Sequence, residues 1–155
     1  MLSTIHKAAA ALATATIATF WTSTLISEAF LDHAAITAVK TAIPYGFFIL
    51  IPAMAAAGAT GFKLAKGRKG GVLGKKSKRM PIIAANGVLV LIPAALYLAA
   101  KAQAGAFDTT FYMVQSLELI AGALNLILLG LNIRDGRKLT AGKRRRAKAS
   151  KKAPL

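Results

Sequence analysis

Four apolar runs, at about 8–31, 44–65, 81–100 and 110–133, constrain this chain more than any other feature. Each approaches the ~20 residues that an α-helix needs to cross a hydrocarbon core about 30 Å thick. Runs of this length do not fold into one water-soluble core, and a helix is the form in which such a segment satisfies its own backbone hydrogen bonds in lipid. The composition agrees: 55% of the 155 residues are hydrophobic and mean hydropathy is +0.54, yet the formal charge is +16. The expected fold is all-α: an integral membrane four-helix bundle, up-down-up-down, over residues 1–136. Its expected connections are 32–43, 66–80 and 101–109. A basic tail at 137–155 has too few apolar residues to fold by itself and is expected to be disordered.

The first run follows His6-Lys7 and is rich in alanine, which is also how a signal peptide begins. Its apolar stretch is longer than a usual signal core and no small-residue cleavage site closes it. It is therefore counted as a span.

Charge orients the bundle. Of 21 Lys and Arg, only Lys40 and Lys101 lie outside the N-terminus, the 63–79 region and the segment after Asn132. The excess of basic residues on cytoplasmic loops then puts both termini and the 66–80 connection in the cytoplasm, and a bacterial cytoplasmic (inner) membrane is the expected location. Glu28, Asp32, Asp108 and Glu118 fall on the outer side, and Asp135 inside. The tail "GKRRRAKASKK" suits anionic lipid, at about 1 kcal/mol per basic residue near the surface. It has no aromatic residue to stack a base, so nucleic acid is not an expected partner.

The fourth run keeps polar residues that a lipid-facing helix would not. Gln115, Glu118, Gly122, Asn125, Leu129 and Asn132 recur at steps of three and four, the seam by which one helix packs on others. Glu118 stands roughly 12 Å into its span at 1.5 Å per residue. A carboxylate there costs about 2.5–3.5 kcal/mol on insertion scales, so it needs a proton, a cation or a hydrated cavity. Trp21, Thr24, Glu28 and Asp32 share a face of the first span, and Asn86, Pro93 and Tyr97 one of the third. Lys40 is the available counter-ion. The expected ligand pocket, facing outward, comprises Glu28, Lys40, Asn86, Tyr97, Tyr112, Gln115, Glu118 and Asn125, with Asp32, His33 and Asp108 at its rim. The bland alternative is an interhelical hydrogen-bond network that fixes register.

Small residues predict close helix approach at Ala53, Ala57 and Gly61, and at Gly122 and Gly130. Pro52 and Pro93, in "ILIPAM" and "VLIPAA", mark either simple bends or places where carbonyls open toward an interior site.

Several chemistries are disfavoured. With no cysteine there is no disulfide, thiolate metal site or Cys nucleophile. "GRKGGVLGKKS" departs from a phosphate-binding loop in glycine spacing and lacks Ser or Thr after Lys75. No catalytic motif is present, and an enzyme is not expected. Haem of the b type is disfavoured because His6 and His33 stand 27 residues, or roughly 40 Å of helix, apart. No metal is expected, Asp32, His33 and Asp108 being weak candidates for one.

The expected function is binding or translocation of a small polar or cationic solute, with or without a coupled proton. The alternative is an accessory or assembly subunit of a larger membrane complex. A homo-oligomer or a membrane-complex partner is compatible with either.

Overall fold

The computed structural model describes the backbone of residues 1–65 and 71–150, and the side chains of these except 65–78, 139 and 143–150. The described residues form helices and no strands: α1 (Leu2–Phe30), α2 (His33–Ala65), α3 (Gly71–Asn86), a π-helical turn (Gly87–Leu91), α4 (Ile92–Gln103) and α5 (Thr109–Ser150). Among the described residues, four segments are long and apolar enough to cross a membrane: Leu2–Phe30, His33–Leu64, Arg79–Gln103 and Thr109–Gly142.

Hydroxyl side chains enter these helices by bonding back to the helix itself. Thr14 donates to the Ala10 carbonyl at 2.7 Å, Thr16 to Leu12 at 2.9 Å and Ser27 to Thr24 at 3.0 Å, so α1 absorbs these polar groups within its own turns. The helix ends at Leu31, whose backbone turns extended while its N–H still reaches the Ser27 carbonyl. Asp32 then caps α2, its Oδ1 accepting from the Ala35 N–H at 2.9 Å. The expected 32–43 connection is thereby reduced to two residues, because a capped helix starts at His33 and runs through Pro44 and Pro52. The 66–80 connection is also shorter than expected, since α3 begins at Gly71, and residues 66–70 lie outside the described residues.

The third span owes its irregularity to Pro93. Proline supplies no N–H to the carbonyl four residues back, and its ring crowds that carbonyl. The helix widens just before it, and the Ile92 N–H bonds to the Gly87 carbonyl, five residues back. The extra residue rotates α4 relative to α3, so Asn86 no longer shares a face with Pro93 and Tyr97. Asn86 is half-buried, whereas Pro93 and Tyr97 are exposed. Pro52 is exposed as well, and neither ring faces the interior.

Gly105 closes α4 at φ +65°, a conformation that only glycine adopts cheaply. The Gly105 N–H bonds to the Ala102 carbonyl and the Ala106 N–H to Lys101, which ties off the last turn. Asp108 caps α5 through the Phe111 N–H at 2.9 Å. That helix continues to Ser150, where a tail without regular structure is expected from 137; residues 151–155 lie outside the described residues.

Helix α1 packs chiefly on α2, with residue numbers running in opposite senses: His6 meets Ala57, Phe20 meets Gly46 and Thr24 meets Lys40. Ala53 and Ala57 are buried in this seam, and a Cβ on Gly61 would come within 3.1 Å of His6. In α5 the small-residue expectation holds at Gly122, which receives Trp21, and fails at Gly130, which is exposed with nothing near it. One apolar cluster, Ile36, Leu98, Ala102 and Phe111, joins α2, α4 and α5 at the end that carries the 104–108 turn. A second, Ile17, Ile83 and Leu129, joins α1, α3 and α5 toward the opposite end.

Candidate functional site

Lys40 is wholly buried. It lies there because α2 begins early, so Ile36, Lys40 and Ile43, at steps of four and three, form one inward stripe. Its Nζ donates to Glu118 Oε2 of α5 at 2.5 Å and lies 3.5 Å from the Thr24 hydroxyl of α1. The Glu118 side chain is 12% exposed. An ammonium at such a place is costly unless a carboxylate answers it, and the pair meets that requirement.

The pair is not the whole of the site. Gln115, also buried, donates Nε2 to the same Glu118 oxygen at 3.4 Å, while its own Oε1 has no hydrogen-bond partner among the described residues. On α1, Glu28 Oε1 is likewise buried and unpartnered. The Glu28 carboxylate is within electrostatic range of Lys40, Glu118 and His33. The Lys40 ammonium is thus bonded to one acid, with a second acid within electrostatic range.

Below the pair, a cleft of about 1950 Å³ separates the helices. Thr24, Ile43, Ala95 and Glu118 stand at its head, and Lys7, Arg137 and Lys138 at its mouth. Its walls are mainly apolar and include Phe20, Trp21, Phe47 and Met54. No residue from 25–42 or 96–117 lines it, because the Ile36–Leu98–Phe111 cluster fills that end. The expected pocket opens at the end carrying Asp32, His33 and Asp108; the cleft runs from Glu118 toward the other, basic end, where its lining among the described residues reaches Lys7, Arg137 and Lys138.

The expected pocket residues therefore divide. Lys40, Gln115 and Glu118 come together, with Glu28 beside them. Asn86 and Asn125 form a separate station farther down the cleft: Asn86 Nδ2 donates to Asn125 Oδ1 and to the Ala121 carbonyl, each at 2.9 Å. Tyr97 and Tyr112 are exposed and belong to neither group. Thr24 reaches Lys40 although it is not among the expected pocket residues; its four-residue step from Glu28 already places it on that face.

The rim residues have other work. Asp32 and Asp108 are helix caps, and His33 stacks on Phe107 with ring centroids 4.0 Å apart. The Asp108 carboxyl is held below the usual carboxylate range, first by the Lys101 ammonium bonded to it and then by the Phe111 N–H. His6 lies at the other end of α1, its Nδ1 3.0 Å from the Ala57 carbonyl. Among the described residues, no three His, Cys, Asp or Glu gather as a metal-holding group.

Trp21 locks α1 to α5. Its indole N–H donates to the Leu119 carbonyl at 2.9 Å, and its ring fills the space left by the missing side chain of Gly122. Near the mouth, Arg79 of α3 bonds Asp135 at 2.7 Å. That contact is easily missed in a sequence where Asp135 stands among many cations.

The regular structure of the described residues is all helical, and four of their segments are long and apolar enough to cross a membrane, the features of a helical membrane protein. Comparison with protein-family models, with curated proteins and with solved structures finds no match.

Proposed function

We propose that this protein binds and translocates a small cationic solute, with Glu118 as the group that recognises it. The observation that carries the reading is that the buried Lys40–Glu118 pair sits at the head of the cleft with Glu118 on its wall. Lys40 occupies the position of the cation, and a solute that reaches Glu118 exchanges with it. The aromatic walls favour an organic cation, since Phe20, Trp21 and Phe47 line the cleft and aromatic rings attract positive charge. Ile51, Phe62 and Val88 line the cleft yet are exposed, so its wall continues onto the lipid-facing surface. A solute with apolar surface enters from that side and avoids the like charge of Lys7, Arg137 and Lys138.

The accompanying topology is up-down-up-down in a bacterial inner membrane, with both termini cytoplasmic and the cleft open to the cytoplasmic half. The opposed numbering of α1 and α2 and the cations around the cleft mouth support it. Anionic headgroups are the partners of that basic end.

The test uses Trp21, the only tryptophan, which lines the cleft. Purified protein titrated with tetraphenylphosphonium or tetramethylammonium shows saturable quenching or a shift of its emission. Glu118→Gln and the charge-neutral pair Lys40→Met/Glu118→Gln lose it. Absence of a saturable response to both probes in the wild type rejects the function.

The rival reading, an accessory subunit in which the pair only fixes helix register, draws on the Trp21–Gly122 lock beside it. It requires wild type and variants to be equally indifferent to both probes.

A further inference from the structure

The site holds one ammonium and two carboxylates, and only one carboxylate is paired. Lys40 bonds Glu118, while Glu28 Oε1 is buried with no hydrogen-bond partner among the described residues. With both acids ionised the cluster would carry a net negative charge inside the span, where an unanswered charge is expensive. The positions of the two acids also differ. Glu118 lines the cleft that runs toward the basic end, whereas Glu28 does not line it. Four residues beyond Thr24, Glu28 stands on the side of His33, which is exposed near the opposite end. The groups acting on Glu28 are Lys40 and His33 from α2 and Glu118 from α5.

Building on the cation-binding reading, we infer that Glu28 is a proton-carrying acid, and that the protein exchanges one proton on Glu28 for one monovalent cation on Glu118. Charge fixes the stoichiometry. At rest the neutral Glu28 acid, the Lys40 ammonium and the Glu118 carboxylate sum to zero. When a monovalent cation takes Glu118, the Lys40 ammonium turns to Glu28, whose O–H bond breaks. The proton leaves toward His33 and the electron pair remains on the carboxylate that now faces Lys40. Two carboxylates and two cations again sum to zero. Lys40 is the positioning residue, since its charge can be answered by one acid or the other. The cation arrives through the cleft and the proton departs at the closed end, so the exchange joins opposite faces of the molecule.

The experiment counts protons. Purified wild-type protein in weakly buffered detergent solution with a pH indicator receives tetraphenylphosphonium, and binding is followed in parallel by Trp21 emission. One proton released per probe bound is expected, with affinity rising tenfold per pH unit across the range where release is complete. Glu28→Gln, checked for folding by its elution and unstimulated emission, should bind more weakly, release no proton and show no pH dependence. Glu28→Asp should restore release. Binding by the wild type without proton release overturns the exchange and leaves the cation-binding reading standing. Release that persists in Glu28→Gln assigns the proton elsewhere and also overturns it. No binding of the probe by the wild type removes both.

Discussion

Lys40 Nζ lies 2.5 Å from Glu118 Oε2, joining α2 to α5 across 78 residues of sequence, and the lysine has no exposed surface. A buried pair of this kind is worth less than its Coulomb attraction suggests, because both ions lose water. Breaking it is the costlier event, since the remaining ion keeps its charge and loses its partner.

That asymmetry predicts non-additive mutations. Glu118→Gln removes the carboxylate bonded to the lysine and should cost about 3 kcal/mol where Glu28 keeps its proton, the lower end of the range for halving a buried pair, and less where Glu28 ionises to answer the charge. Lys40→Met should cost a similar amount. The double substitution Lys40→Met/Glu118→Gln leaves no charge behind and should be more stable than either single variant. Thermal unfolding of all four proteins in one detergent measures the coupling, and losses that simply add would show that the two side chains do not depend on each other.

Trp21 and Gly122 make a second contact that can be tested separately. A Cβ at position 122 would lie 2.8 Å from Trp21 Cδ1, so Gly122→Ala forces the indole to move. The indole N–H then loses the Leu119 carbonyl, and the combined penalty is about 1–3 kcal/mol. Emission from the single tryptophan reports the displacement directly. Unchanged emission and melting temperature in the alanine variant would mean that α1 and α5 do not meet there as described.

The sequence displays some of this site and conceals the rest for physical reasons. The seam on the fourth span is legible because a regular α-helix keeps steps of three and four on one side; Gln115, Asn125, Leu129 and Asn132 are all buried, and Gly122 receives Trp21. The Asn86–Pro93–Tyr97 face is not, because a π-helical turn adds a residue between its first two members. Lys40 is recognisable as a counter-ion for Glu118, yet its complete burial depends on α2 beginning at His33, under an Asp32 cap that in sequence resembles a metal ligand. Asp108 misleads in the same way, since a carboxylate before a helix looks alike as a cap and as a ligand. The end toward which the cleft runs depends on how helices distant in sequence pack together, which no local pattern encodes.

Asp108 gives a pH prediction whose sign is fixed. Its carboxyl is held below the usual range in the folded protein by the Lys101 ammonium and the Phe111 N–H. The stabilisation is complete above the unfolded carboxylate value, near pH ~4, and is lost as pH falls through the lower folded value. Asp108→Asn keeps a side-chain oxygen for the Phe111 N–H and removes the charge that Lys101 answers. The variant should melt lower than wild type at neutral pH, and the gap should narrow as pH falls below about 4. A gap that stays constant across that window would exclude the Asp108 charge as its source.

The orientation of the molecule can be read with single-cysteine reporters, because the chain has no cysteine to remove. Ala104 is exposed at the end of α4, and Gly142 is exposed on α5 beyond Arg134, Arg137 and Lys138. Lys and Arg beside a span resist translocation, so the basic end is expected to stay in the cytoplasm. In intact bacterial cells expressing the protein, a membrane-impermeant maleimide should label Ala104→Cys at once and Gly142→Cys only after permeabilisation. Labelling in the opposite order would invert the protein and turn the cleft mouth outward. The Lys40–Glu118 pair would be unaffected by that result, but the cation would then approach Glu118 from outside and the Glu28 proton would leave on the cytoplasmic side.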